Sequence, residues 1–187
     1  MATFNNQILT KLPTKQDSLA VFSFFVFFIY TWGLYRMAWY LPSWLYYLNL
    51  GNILIILAYV LAYCLLESVV MMTFLLFLSI IIPTRYFGER FMAQGSSVAT
   101  IASISAALAQ RKIGLIYNLD RMVLIILSFA IPLLFVLLIF GSYLIFNKFH
   151  ILARWVNALA ERMTVFVFVY IPLSIIGLVI VLVRNLL

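Results

Sequence analysis

Long, unbroken apolar runs dominate this chain, with no strand-like alternation of apolar and polar positions. A helix needs about 20 apolar residues to cross the hydrocarbon core of a bilayer. Four stretches qualify, at roughly 19–40, 51–82, 122–147 and 163–184. Residues 1–17 read as a polar N-terminal tail carrying Lys11, Pro13, Lys15 and Asp17, and residues 18–187 as a single transmembrane domain. The pattern predicts an all-α integral membrane protein: a four-transmembrane-helix bundle with an additional interfacial or re-entrant helix near residues 96–110.

The flanks of the first run resemble those of a signal peptide. No small-x-small cleavage pattern follows it, only Trp32, Tyr35, Arg36 and Trp39, so it is expected to stay as the first span. The second run would measure about 48 Å at 1.5 Å per residue, longer than the hydrocarbon core is thick. It must tilt, bend or project, because neither Gly nor Pro near Glu67 offers a turn that would divide it. Pro132 and Pro172 fall inside the third and fourth runs, where each removes a backbone hydrogen bond and is expected to kink its helix.

The segment from Phe91 to Gln110 is uncharged but rich in Gln94, Ser96, Ser97, Thr100, Ser103, Ser105 and Gln110. Gly95-Ser96-Ser97 reads as a helix start, and Val98, Ile101, Ile104 and Leu108 follow at helical spacing. Its polarity favours a helix lying along the interface or packed under the bundle. A re-entrant form with Ile113–Leu119 as return arm, and a fifth crossing, stay open.

Basic residues set the expected orientation. With the N-terminus inside and four spans, the inner segments hold Lys11, Lys15, Arg85, Arg90, Arg111, Lys112, Arg121 and Arg184. The outer ones hold Arg36, Lys148, Arg154 and Arg162, a ratio of 8 to 4 that places both termini on the cytoplasmic or equivalent inner side. A fifth crossing changes the ratio to 7 to 5.

Composition strengthens the membrane reading. Hydrophobic residues make up 67% of the 187 and charged residues 9%, against roughly 45–50% and 25% in soluble domains. A soluble fold of this size has no means of hiding so much apolar surface. The net charge of +7 points to no nucleic acid, because the cations stand at the edges of apolar runs, where anionic lipid accounts for them. With Cys64 the only cysteine and His150 the only histidine, one chain cannot assemble a site of paired His or Cys ligands. No metal or cofactor is therefore expected.

Glu67 is the only formal charge between Arg36 and Arg85 and falls near the middle of the second run. A charged acid at such depth costs roughly 2.5–3.5 kcal/mol, so it is normally neutralised, paired or placed beside water. Tyr63 and Tyr59, four and eight residues earlier, complete a candidate ion or proton relay. The competing reading is a structural hydrogen bond to another helix or subunit. One acid among four spans is similar to the arrangement in small multidrug transporters, although this chain is longer and matches none of their motifs. Trp32, Arg36, Trp39 and Trp44, with Tyr30, Tyr35, Tyr40, Tyr46 and Tyr47, read as an aromatic belt at one interface, and Trp155 as an anchor at another.

Catalytic chemistry has no basis here, since His150 is expected on the opposite side from Ser96, Ser97 and Asp120. The sequence reads as a non-catalytic polytopic membrane subunit or scaffold in a larger or homo-oligomeric assembly. Its partners would be the bilayer and other membrane chains. The alternative is a proton- or cation-linked transporter or channel component using Glu67.

Overall fold

The computed structural model describes residues 13–83, 87, 91–111 and 121–186, without the side chains of 109, 111, 121, 123–129, 131 and 132. It is all-helical, as lipid requires of a chain that must satisfy its backbone polar groups internally. Among the described residues five helices follow one another: α1 (Lys15–Tyr47), α2 (Leu50–Ile81), α3 (Phe91–Arg111), α4 (Arg121–Lys148) and α5 (His150–Leu186). Among the described residues α1, α2, α5 and the Phe91–Leu108 part of α3 are long and apolar enough to cross a membrane. The described apolar part of α4, Leu133–Lys148, is shorter.

Local chemistry fixes where α1 begins. Thr14 accepts the backbone N–H of Asp17 at 3.1 Å and donates its hydroxyl to the Asp17 carboxylate at 2.6 Å. Asp17 also complements the positive end of the helix dipole. The helix thus starts inside the segment read as a polar tail; residues 1–12 lie outside the described residues.

The second run was placed closely by its apolar pattern, but α1 and α5 are longer than expected. α5 starts at His150, 13 residues ahead of the expected 163 (163 − 150). Polar residues in His150–Arg162 mark where lipid ends, yet nothing there stops a helix, since the stretch contains neither Gly nor Pro. α1 likewise continues through Pro42 to Tyr47, and α5 remains one helix through Pro172. The kink expected at Pro132 and the return arm expected over Ile113–Leu119 lie outside the described side chains and residues, respectively.

The helices pack around α1, which touches α2, α3 and α5 along its length. α2 runs antiparallel to it: the Tyr30 hydroxyl reaches the Leu61 carbonyl, the Cys64 thiol reaches the Ile29 carbonyl, and Val21 and Leu75 meet at Gly95. α5 runs parallel to α1, with Ser23 against Ala160 and Tyr30 against Ser174. One core joins Val21, Phe25, Leu75, Val98, Ala99 and Ile139, and a second joins Val26, Tyr30, Leu61, Cys64 and Val167.

The additional helix expected near 96–110 is α3, and it packs lengthwise into the bundle. Gly95 meets Val21 at one end and Gln110 meets Trp32 at the other, so α3 is parallel to α1. Small residues explain why it sits there: Ser96, Val98, Ala99 and Ala102 are buried, which lets its backbone come close to its neighbours. Two of its hydroxyls bond back to their own helix, Ser97 to the Gln94 carbonyl and Thr100 to that of Ser96, and so need no water, whereas the buried Ser96 hydroxyl and Gln94 Oε1 have no hydrogen-bond partner among the described residues. With α1 and α5 parallel, Lys15 and Leu186 lie at opposite ends of the bundle.

Two contacts set the spacing of α1, α2 and α5. Ser174 donates its hydroxyl hydrogen to the Tyr170 carbonyl at 2.8 Å, which leaves Tyr30 as donor in the 2.5 Å bond between them. The Tyr30 ring stacks on Tyr170 at 4.7 Å. Gly177 presses directly on α2: a Cβ there would stand 2.9 Å from the Ala58 carbonyl oxygen and 3.4 Å from its Cα, whereas one at Gly141 would meet nothing within 4 Å.

Gly177→Leu is therefore expected to force α2 and α5 apart and lower the detergent-solubilised melting temperature, with a cost of about 1–3 kcal/mol. Gly141→Leu should leave it unchanged. Tyr30→Phe removes one hydrogen bond and should cost only about 0.6 kcal/mol, as such bonds do in membranes. Tyr30→Ala opens a cavity among three helices and should cost about 3–5 kcal/mol in the same melt.

Candidate functional site

Near the end of its described part α3 presents Gln110 to the aromatic end of α1. Gln110 accepts two donors at its Oε1: the Trp32 indole N–H at 2.5 Å and Arg36 Nη1 at 3.4 Å. The short bond fixes the amide, and the longer one draws the guanidinium over it. Trp32 packs on Tyr35 with ring centroids 5.7 Å apart, and Tyr40 packs on Trp44 at 6.0 Å.

Cavities open on each side of this node. One of about 300 Å³ lies among Trp32, Tyr35, Arg36, Trp39, Tyr40 and Gln110. A second, of about 460 Å³, runs as an apolar trough between α1 and α3, lined by Phe28, Thr31, Trp32, Ile104 and Leu108 among others. A third, of about 360 Å³, follows the α1–α2 groove from Arg36 and Tyr40 down past Tyr63 and Cys64 to Glu67.

Glu67 lies opposite Phe28 and Ile29, with Ser103 and Gln110 of α3 nearby, across a gap of about 20 Å³. That is close to halfway along the uncharged stretch between Asp17 and Arg36. Its carboxyl is half-buried. Among the described residues it makes no hydrogen bond or ion pair, so no intrachain partner offsets its desolvation there. Arg36 and Glu67 line one groove, but nothing among the described residues brings them to ion-pair distance.

The proposed relay residues divide. Tyr63 lines the groove with Glu67, although it is largely exposed. Tyr59 turns to α5 and donates to Asn185 Oδ1 at 3.2 Å. Eight residues of helix rotate about 80° past two full turns, enough to carry Tyr59 onto a different neighbour. The belt residues divide too. Trp39 and Trp155 stand 71% and 70% exposed. Trp32 is half-buried and bonded across to α3, which makes it a wall of the site, and Trp44 is stacked against Tyr40.

Gln110 is the residue that sequence reasoning missed. It ends an uncharged run and lies 78 positions from Trp32, so no local pattern links them. The one available signal was an amide at the polar end of an apolar helix, level with an arginine on a parallel neighbour.

Comparison of the chain with known protein families, characterised proteins and solved structures finds no match.

Proposed function

We propose that this chain is a non-catalytic polytopic membrane subunit that assembles side by side with another membrane chain, a copy of itself or a different protein, along the open face of α2. The observation that carries this reading is Glu67, half-buried near mid-depth with no partner among the described residues. A carboxyl left so in lipid is costly, and a polar group on a neighbouring membrane helix would relieve it. Beside it Tyr63, Leu66, Val70, Thr73, Phe77 and Ile81 are exposed. Their three- and four-residue steps match the seam one helix offers to another.

A second reading is supported by the groove of about 360 Å³ that Glu67 shares with Arg36, Tyr63 and Gln110. A titrating acid in such a groove suits proton- or cation-linked transport. Orientation belongs to either reading. With five crossings and the α1 start inside, Lys11, Lys15, Arg85, Arg90, Lys148, Arg154 and Arg162 face inward. Arg36, Arg111, Lys112, Arg121 and Arg184 face outward, which is 7 against 5. We place the N-terminus on the cytoplasmic side and the C-terminus across the membrane.

Cysteines placed at Val70 or Phe77 in a Cys64→Ser background should cross-link to a neighbouring chain in native membranes. One at Phe168, on the exposed face of α5, should not. Glu67→Gln, which keeps hydrogen-bonding capacity, should retain the cross-link, while Glu67→Lys should abolish it. A chain that runs as a monomer in mild detergent, cross-links to nothing and co-purifies with nothing would sink the subunit reading. For the second reading, reconstituted protein should carry a pH-dependent flux that Glu67→Gln removes; absence of flux at every pH rules it out. Epitope tags at the two termini should be protected on opposite sides of sealed vesicles, and same-side protection would refute the five-crossing topology.

A further inference from the structure

We propose that the cavity between the aromatic end of α1 and Gln110 of α3 is a phospholipid site, in which Arg36 binds the phosphodiester and the α1–α3 trough takes an acyl chain. Arg36 is the only charge on α1 beyond Asp17. Its planar guanidinium has five N–H donors. Among the described residues it uses them in one long hydrogen bond, to an oxygen that Trp32 already engages more closely. No carboxylate among the described residues pairs with it, so the remaining donors face the cavity of about 300 Å³. A guanidinium fork of this kind matches a phosphate oxygen pair.

Depth agrees with that chemistry. Arg36 stands level with Gln110 and ends the uncharged apolar stretch that follows Asp17. A cation at the end of such a stretch marks the plane of lipid phosphates. Tyr35, Trp39 and Tyr40 enclose the cavity on the α1 side, and amphipathic rings favour the same plane.

The trough selects a lipid over a free anion. It shares Trp32 and Tyr35 with the headgroup cavity and leads away between Phe28, Ile104 and Leu108, so an anion held at Arg36 has an apolar slot continuous with it. Gln110 acts as a positioning residue, holding the guanidinium at the mouth of the slot. This site is separate from the α2 face assigned to assembly, and neither reading depends on the other.

Native mass spectrometry of the full chain in a delipidating detergent, titrated with phosphatidylglycerol, tests the proposal. The unaltered protein should retain one tightly held lipid. Arg36→Gln should weaken that binding about tenfold, the loss expected for one charge-assisted contact, and Arg36→Lys should weaken it less. Leu108→Trp, which fills the trough and leaves Arg36 in place, should also weaken lipid binding. Circular dichroism melts identify variants that remain folded. Excess inorganic phosphate should fail to displace the lipid. Wild-type lipid retention by folded Arg36→Gln protein overturns the proposal, as does displacement by inorganic phosphate or unchanged binding in folded Leu108→Trp protein.

Discussion

The hydrogen bond from Tyr30 to Ser174 sets the register on which the rest of the bundle depends. It joins α1 to α5 well inside the apolar layer, and the same hydroxyl reaches the Leu61 carbonyl of α2 at 3.5 Å. A phenol in lipid has no water to fall back on, so its partners fix how three helices slide past one another. Gly177 then lets α5 settle against the α2 backbone at Ala58. That register puts Glu67 opposite Phe28 and brings the aromatic end of α1 against Gln110 of α3.

The same register separates two polar features that share a groove. Arg36 lies at the cavity walled by the aromatic end of α1, while Glu67 lies deeper, flanked by α1 and α3 but open along α2. One is a cation with unused donors among the described residues, the other a carboxyl that makes no hydrogen bond or ion pair among them. Their surroundings, more than their charges, assign them different partners.

Much of this was legible in the chain. Apolar runs identify the membrane class and the second helix almost to the residue, because hydropathy measures what lipid selects. It measures helix ends poorly: Arg36 and Arg162 mark changes of solvent, and the backbone hydrogen bonds simply continue through Tyr47 and back to His150. α3 was the harder case. Seven polar side chains argued for the interface, yet serine and threonine hydroxyls satisfied by their own helix behave as small residues and pack well. Glu67 was recognisable as an isolated acid, but which neighbour Tyr59 meets, about 80° round the helix from it, depends on how α5 packs. Contacts such as Trp32 with Gln110 join distant positions and leave no periodic trace.

The junction of α4 and α5 couples the two helices mechanically. Only Phe149 separates Lys148 from His150, and the Phe149 N–H still bonds to the Ile145 carbonyl. One residue spans about 3.8 Å, so the end of α4 and the start of α5 are tied by the chain itself, and an axial shift of either helix pulls directly on the other.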